Sequence, residues 1–543
     1  PPPRVASPTT PPLALAVTNA RRITFGDACE EFPGFTPDGS AVVYDGTVGR
    51  DSFVYRVGVE PGATPLQLTR VRGWDIAARV SPGGDRIAFL RIEGERVGTF
   101  VGPIDGSAPP RLVAKGSIRP SWTRDGTAVW AGAGDPIVAY DATTGAVRRE
   151  LALGRPFKTA LTFELADGAL LAGFPSHGAS DSNVGGVALL RDGSPPRWLL
   201  KQPVQEALAA TPDGRHAIVS RTTPTGVELM DLPVDGSPSA SLAAAGIDAR
   251  EGIALSNDGR RVVWSSCKEV PQLVAVDPRD GSQHSIRPDM VGPTSLVSVA
   301  GRAEIGVVST RAGKAEPWIV PLSGDAPPRP IDVGALVVAE LAIAHDGKRF
   351  VVSVPGRGLQ AGQLDGSVPL RPLTTRGTDA EPAFRAGDAQ VVFTRRRADG
   401  RPQIMVVPFE GGEAAELLGA GSDCAAPSPV DERLAYFAGS NETEFVPTIW
   451  DGKAGKLRPL SPRLGAGRYG YIGFSLDGRR LVLVRGQTEL VEVDAATGAI
   501  VRTYATPTDD QLGAPVYTPS GLVAVRVRWQ GNVWMGDVGS LAR

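Results

Sequence analysis

The sequence contains few of the residues that most often carry out catalysis or bind metals. Its 543 residues include only four histidines, three cysteines and four methionines. The histidines (His177, His216, His284 and His345) are far apart in the chain, and the sequence has no Cys-x-x-Cys pair, no glycine-rich phosphate loop and no Gly-x-Ser-x-Gly elbow. These absences favour a non-catalytic protein without a metal or another cofactor.

Strong charge and long apolar runs are also missing. The formal net charge is −2, and no basic stripe with interleaved aromatic residues suggests nucleic-acid binding. No run of about 18 apolar residues predicts a membrane span. The opening PPPRVASPTTPP predicts a semi-rigid linker over residues 1–20. We expect any membrane attachment to lie in a segment upstream of that linker.

Turn residues are abundant, with 66 glycines and 48 prolines, and they recur with a period. A turn signal followed by an apolar strand appears twelve times, and neighbouring copies lie 41 to 46 residues apart. Clear copies are FTPDGSAVVYD near Asp38, WTRDGTAVWAG near Asp125, ATPDGRHAIVS near Asp213, LSNDGRRVVWS near Asp258, IAHDGKRFVVS near Asp346 and FSLDGRRLVLV near Asp477. Weaker copies lie near Gly83, Asp167, Gly301, Gly387, Asp431 and Ser520. This period is typical of a four-stranded propeller blade.

The repeat predicts an all-β protein of tandem β-propellers with twelve four-stranded blades. Because propellers usually have four to eight blades, we expect two six-bladed rings, over residues 21–280 and 281–543. One large ring or an uneven split is the alternative. In the expected closure, RRITF (21–25) pairs beside PQLVAVD (271–277), and HSIRP (284–288) pairs beside NVWMGDV (532–538).

The repeat resembles the TolB-type (WD-like) propeller family. The resemblance rests on an LT-type strand, then P-x-[FW]-[ST]-P-D-G, then an [IV]-x-[FYW] strand, and it covers about residues 21–543. Such repeats occur in periplasmic TolB and in extracytoplasmic tails of bacterial Ser/Thr kinases and regulators. The resemblance therefore implies a bacterial protein located in the periplasm or at the cell surface.

The cysteines offer a test of ring closure. Cys29 follows RRITF, and Cys267 lies in a loop that would face it if six blades close the first ring. We therefore consider a Cys29–Cys267 disulfide, which would place the protein in an oxidising compartment. Unrelated buried cysteines are the alternative. A metal site made of Asp27, Cys29, Cys267 and His284 has weaker support, because its spacing matches no known pattern.

Acidic residues recur at the start of the innermost strands, where they would line the channel rim. They are Glu31, Asp75, Glu206, Glu251, Glu340 and Glu381, with Trp74 and Trp122 near the same rim. A ring of carboxylates would attract a cation, a basic peptide or a metal. The alternative is that each carboxylate caps a loop amide or pairs with an arginine such as Arg79 or Arg250.

These observations favour a binding or sensory scaffold that recognises a protein, peptide or envelope ligand through its loop faces and channel rim. An enzyme of the lyase or hydrolase type, using channel carboxylates and arginine, is one alternative. A structural assembly subunit is another. The sequence predicts no particular oligomeric state.

Overall fold

The computed structural model describes residues 13, 15–27, 29–49, 51–93, 96–154, 157, 160–175, 185–202, 204–223, 226–242, 247, 249–324, 326–397, 399–439, 446–452, 455–460, 469–506 and 510–539. His177 and residues 1–12 of the predicted linker lie outside this part of the sequence. The regular elements of the described residues are all β-strands. Among the same residues, no helix is long and apolar enough to cross a membrane.

The protein forms two compact units. The first contains Pro1–Lys268 and Trp529–Arg543, and the second contains Glu269–Arg528. The division therefore differs from two contiguous halves with a boundary near residue 280. The backbone leaves the first unit after Lys268 and returns to it for the last fifteen residues, Trp529–Arg543.

The described strands of the first unit form six four-stranded blades, and a single parallel bridge between Ser52 and Trp74 connects the first two. Written from the innermost strand outward, they are blade 1 (Glu30–Phe35, Ala41–Val48, Asp51–Gly58, Leu66–Gln67), blade 2 (Trp74–Val80, Arg86–Glu93, Arg96–Pro103, Arg111–Lys115), blade 3 (Ser121–Trp122, Ala128–Ala131, Ile137–Asp141, Val147–Leu151), blade 4 (Leu161–Glu164, Leu170–Phe174, Gly186–Leu190, Arg197–Leu200), blade 5 (Leu208–Ala210, His216–Thr223, Gly226–Pro233, Ala240–Leu242) and blade 6 (Ile253–Leu255, Arg261–Ser265, Val533–Gly539, Ala16–Arg22).

The described strands of the second unit form six more blades of the same kind. They are blade 7 (Thr294–Ser298, Glu304–Ser309, Glu316–Pro321, Arg329–Pro330), blade 8 (Glu340–Ile343, Arg349–Val354, Gly358–Gln363, Arg371–Pro372), blade 9 (Asp379–Phe384, Gln390–Arg396, Pro402–Pro408, Ala415–Leu418), blade 10 (Ser422–Pro427, Leu434–Ala438, Val446–Trp450, Leu457–Pro459), blade 11 (Tyr469–Phe474, Arg480–Arg485, Glu489–Asp494, Ile500–Ala505) and blade 12 (Gln511–Thr518, Gly521–Gln530, Lys268–Val276, Gln283–Ser285).

Each unit is a closed ring. The innermost strand of every blade contacts the innermost strands of the blades before and after it, and blade 6 contacts blade 1 as blade 12 contacts blade 7. Buried apolar side chains fill the space between neighbouring blades, as Trp130 of blade 3 and Phe174 of blade 4 do within one cluster. The protein is therefore a tandem β-propeller with two six-bladed rings.

The recurring turn is held by its own side chains. In blade 1 the Thr36 hydroxyl donates to Asp38 Oδ1 at 2.6 Å, the same oxygen accepts from Ser40 N at 3.0 Å, and Gly39 adopts a φ of 69°. A hydroxyl-to-Asp bond of the same kind recurs at Thr123–Asp125, Thr211–Asp213, Ser256–Asp258 and Ser475–Asp477. These bonds explain why the signature has Ser or Thr, then Asp, then a glycine in the left-handed conformation.

The closing strands pair differently from the expectation. The predicted pairings of RRITF with PQLVAVD and of HSIRP with NVWMGDV are wrong. Strand Val533–Gly539 lies between Arg261–Ser265 and Ala16–Arg22, so the C-terminal strand completes blade 6 of the first unit. Strand Lys268–Val276 instead lies beside Gly521–Gln530 in blade 12. The pairing starts at Ala16, within the segment that was expected to be linker.

The structure contains a disulfide between Cys29 and Cys267, whose Cα atoms are 5.4 Å apart. The returning segment passes beside this disulfide. Gly531 forms a bridge with Cys29, and a Cβ added at Gly531 would lie 2.4 Å from the Cα of Cys267. Only glycine fits at this position without a backbone shift. Such a disulfide is consistent with an oxidising compartment.

Replacing both Cys29 and Cys267 with serine should destabilise the first unit. The disulfide joins residues 238 positions apart, and for a loop of that length the chain-entropy relation gives a loss of about 5 kcal/mol. Urea unfolding followed by tryptophan fluorescence measures the change. Reductant should lower the stability of the wild-type protein by a similar amount and leave the double variant unaffected. An unchanged midpoint in the double variant would contradict this role.

Candidate functional site

A cavity of about 520 Å³ lies at the centre of the first unit. All six innermost strands contribute to its wall, together with the Asp-Gly turns that follow several of them. The contributions from the strands are Gly34 and Phe35, Ala77, Arg79 and Val80, Ser121 and Trp122, Leu161 to Glu164, Leu208 to Ala210, and Ile253 to Leu255. Its size falls within the usual range for sites that bind small molecules or short peptide segments.

β-Bulges shape the strands around this cavity. The pairing of Glu30–Phe35 slips between Glu31 and Gly34, and the pairing of Trp74–Val80 slips between Ile76 and Arg79. Inside each bulge one residue has a positive φ, 47° at Phe32 and 55° at Ala77. Such bulges redirect side chains next to binding sites. Here the second bulge comes directly before Arg79, which lines the cavity.

Arg79 is anchored by one of its terminal nitrogens. Its Nη1 donates to the carbonyl of Phe32 at 3.0 Å and to the carbonyl of Ala78 at 2.9 Å. Burial lowers the pKa of Arg79 to about 10, and the nearby Arg119 acts in the same direction. Arg79 therefore stays charged at neutral pH.

Arg119 is the second cation in the cavity wall. Its guanidinium forms an ion pair with Glu206 and lies over the ring of Phe32, 4.4 Å from the ring centre. The side chains of the pair are 13% and 6% exposed. Glu206 does not line the cavity, so the arginine faces the space and its counterion lies behind it.

Asp45 lies behind the wall, only 1% exposed. Its Oδ1 accepts a hydrogen bond from Ala77 N at 2.9 Å, whereas Oδ2 has no partner among the described residues. Burial raises the pKa of Asp45 to about 8, although Arg119 and Arg79 act in the opposite direction. Burial therefore favours the protonated, uncharged form of this carboxyl group behind the two arginines.

The predicted acids of the first unit do not form an open ring. Asp75 is buried in a two-point ion pair with Arg91, at 2.6 and 2.7 Å, and Glu206 is paired with Arg119. Glu31 is half-buried beside Cys267, and the backbone carbonyl of Glu251 accepts from Phe32 N at 2.8 Å. None of these four acids lines the cavity.

The two predicted tryptophans have different environments. Trp122 lines the cavity, is 8% exposed and donates from Nε1 to the carbonyl of Arg79 at 2.9 Å. Trp74 does not line it and is 45% exposed. The residues that sequence reasoning missed are Arg119 and Asp45, and it considered Arg79 only as a counterion. The signal available was positional: Arg119 lies just before the innermost strand Ser121–Trp122, as its partner Glu206 lies just before Leu208–Ala210.

The predicted acids of the second unit form a series of hydrogen bonds from blade to blade. Glu340 Oε2 accepts from Glu381 N at 2.7 Å, and Glu381 Oε2 accepts from Cys424 N at 3.2 Å and from the Thr394 hydroxyl at 2.8 Å. The carboxylates thus cap the amides of the next innermost strand, and among the described residues Glu340 and Glu381 have no arginine or lysine partner.

Glu381 and Cys424, within this series, both have raised pKa values. Burial, then Asp423 and Glu340, raise the pKa of Glu381 to about 7. Burial and the neighbouring acids raise the pKa of the Cys424 thiol well above its usual value. Donor atoms of Glu381, Asp423 and Cys424 lie within 4.8 Å of one another, as a small cation site would require. All three residues are already hydrogen-bonded within the innermost strands.

The described histidines are bound to neighbours in separate blades. His216 Nδ1 lies 2.8 Å from Asp231, His345 Nδ1 lies 2.7 Å from Asp388, and His284 Nε2 lies 3.1 Å from the Ser282 hydroxyl. None of these histidines lines the central cavity of the first unit. The two sulfur atoms of Cys29 and Cys267 lie close to Glu31 but are joined in the disulfide, so they offer no thiolate to a metal.

The fold and cavity define a tandem β-propeller with a basic central site. No protein-family model matches the sequence, and no curated protein matches it. Solved propeller structures resemble it distantly. TolB from Acinetobacter baumannii is 15% identical, and the match covers 57% of this protein and 81% of TolB with a TM-score of 0.35. The GH74 enzyme of Niastella koreensis is 11% identical, and the match covers 94% of this protein and 99% of the enzyme with a TM-score of 0.38. Similarities at this level of identity concern the fold alone.

Replacing Asp45 with asparagine should change how stability depends on pH. An unfolded aspartate ionises near its ordinary pKa of 3.8, whereas folded Asp45 keeps its proton until about pH 8. The stability that this proton contributes is therefore complete below pH 4 and is lost as the pH rises to about 8. The Asp45→Asn variant, which keeps the acceptor for Ala77 N, should show a flatter pH dependence over this window. Urea unfolding at a series of pH values measures this dependence. If the free energy of unfolding changes with pH equally in the variant and the wild-type protein, Asp45 does not hold a proton in the folded state as described.

Proposed function

We propose that the protein is a non-catalytic binding module of the bacterial periplasm or cell surface, which holds a peptide segment of a partner protein in the central cavity of its first unit. The observation that carries the proposal is the cavity itself. It measures about 520 Å³, and its wall combines apolar side chains with hydroxyl groups and the guanidinium groups of Arg79 and Arg119. An apolar site with a few fixed polar groups is the usual composition of a ligand pocket.

Ring closure supports a site that is formed before the ligand arrives. The side chains on the wall come from strands whose backbones are fixed by pairing within each blade, and Arg79 and Trp122 are fixed by bonds to backbone carbonyls. A preformed pocket loses little conformational entropy when it binds. The location outside the cytoplasm is supported by the disulfide between Cys29 and Cys267.

The hydroxyl groups of the wall support binding over catalysis. Ser121 and Thr162 are hydrogen-bonded to each other at 2.7 Å, and Thr123, Thr211 and Ser256 cap their turn aspartates. A nucleophile needs a nearby base to activate it. Among the described residues no histidine lines this cavity, and its one carboxylate, Glu164, accepts from Arg124 N and Arg149.

Selection of displayed random peptides on the immobilised full-length protein tests the proposal. Ala254 is half-buried on the cavity wall and packs against the apolar cluster between blades 1 and 6. Ala254→Trp should obstruct the space, whereas Ala254→Ser should leave it open, and thermal melting confirms that both variants are folded. We expect peptides enriched on the wild-type protein to bind the serine variant equally and to lose at least tenfold in affinity for the tryptophan variant.

Enriched peptides that bind all three proteins equally would place the binding surface elsewhere and contradict the cavity. Incubation of the enriched peptides with wild-type protein, followed by mass spectrometry, separates binding from turnover. Intact peptides support a binding module, and cleaved or otherwise converted peptides would instead support the lyase or hydrolase alternative.

A further inference from the structure

We infer that the ligand of this cavity presents a carboxylate, which binds the Nε–Nη2 edge of Arg79. The inference rests on the proposed function because it names the chemistry that the same cavity would recognise. It applies equally to the α-carboxylate at the end of a peptide and to the carboxylate of an aspartate or glutamate. The remainder of the ligand would be apolar.

The hydrogen bonds of Arg79 leave its recognition edge available. An arginine has five N–H donors, and Nη1 of Arg79 uses its donors on Phe32 O and Ala78 O. Nε and Nη2 have no hydrogen-bond partner among the described residues, and the residue is half-buried on the cavity wall. These two nitrogens form the edge of a guanidinium that binds a carboxylate through two parallel hydrogen bonds.

Arg119 differs from Arg79 in this respect. Its terminal nitrogen is paired with Glu206, and its Nε is buried without a partner among the described residues. Arg119 therefore cannot offer the same two-point contact to a ligand. Its charge is balanced by Glu206, so the ligand contact is assigned to Arg79 alone.

The charged groups on the cavity wall favour an anion. The ionisable residues among those that line it are Arg79, Arg119, Arg124 and Glu164. Both oxygens of Glu164 accept hydrogen bonds, Oε2 from Arg124 N at 2.8 Å and Oε1 from Arg149. The carboxyl groups of Asp45 and Glu206 lie behind the wall, so a ligand in the cavity meets guanidinium groups first. Low-dielectric walls strengthen such a potential.

The remaining wall sets the character of the rest of the ligand. Phe35, Trp122, Leu161, Phe163 and Leu255 line the same space, and Phe163 is 41% exposed. Aromatic and branched side chains around a cation favour a ligand with a bulky apolar group next to its carboxylate. A bare inorganic anion would fill little of a cavity of about 520 Å³.

Three probes that differ only in their polar end group test the inference. They are 3-phenylpropanoate, 3-phenylpropanamide and 3-phenylpropylamine, titrated into the full-length protein by calorimetry. We expect the carboxylate to bind at least tenfold more tightly than the amide, and the amine to bind most weakly. Raising the salt concentration should weaken the binding of the carboxylate probe only, because salt screens a charge-assisted contact and does not screen an apolar one.

Variants of Arg79 identify the contact. Arg79→Gln should remove the tenfold preference, and Arg79→Lys, which keeps the charge without the two-point edge, should retain only part of it. Arg72→Gln is the matched control, because Arg72 is exposed in the same unit and does not line the cavity. Thermal melting confirms that each variant is folded. A preference that persists unchanged in folded Arg79→Gln would overturn the inference.

Three further compounds distinguish the sources of the carboxylate. Acetyl-phenylalanine offers an α-carboxylate, and acetyl-Phe-Glu-amide offers only the carboxylate of its glutamate, with acetyl-Phe-Gln-amide as its neutral match. Equal binding of 3-phenylpropanoate and 3-phenylpropanamide, or no binding of either, would overturn the inference that the ligand presents a carboxylate. The proposed function would then still be decided by the Ala254→Trp result, so the two failures are distinguishable.

Discussion

The structure depends on the return of the C-terminal strand to the first unit. Blade 6 is assembled from three separate stretches of sequence, since Val533–Gly539 lies between Arg261–Ser265 and Ala16–Arg22. Without that strand, Ala16–Arg22 has no partner and Arg261–Ser265 becomes an unpaired edge. An exposed edge is costly and promotes association with other molecules. The central cavity needs all six innermost strands, so its shape rests on this one pairing.

Several polar contacts hold the returning segment in place. Asn532 donates from Nδ2 to Glu30 at 2.8 Å and to the carbonyl of Gly26 at 3.0 Å, and its backbone carbonyl accepts from Ser266 N at 3.0 Å. The Cys29–Cys267 disulfide lies beside Gly531 in the same region. The backbone near Glu30, its exit after Ser266 and its return at Asn532 are therefore fixed at one place in the first unit.

The two units use their innermost acids in different ways. In the first unit, Asp75 and Glu206 are counterions of arginines, and the arginine of the second pair faces the cavity. In the second unit, Glu340 and Glu381 cap backbone amides of the next blade and have no described cationic partner. Acids at similar repeat positions thus pair with arginines in one ring and cap backbone amides in the other.

Much of the fold could be predicted from the sequence because the turn chemistry is local. Thr36, Asp38 and Gly39 determine a tight turn by contacts within five residues, and the sequence contains eleven further segments of the same kind. The partner of a strand is not local. Strands 271–277 and 532–538 have similar alternating patterns, so either fits either ring, and the predicted closure was wrong. The charge of the cavity depends on which arginine forms an ion pair with which acid. Arg119 and Glu206 precede the innermost strands of different blades, so their pairing too is determined only by the assembled ring.

The most direct test of this account is hydrogen–deuterium exchange on a truncated protein that ends after Gln530, which retains blade 12 and removes the strand that closes blade 6. We expect amides of blades 1 to 6 to lose protection while amides of blades 7 to 12 keep it, and a synthetic peptide of residues 531–543 to restore it. Protection lost in the second unit and kept in the first would contradict the closure described here.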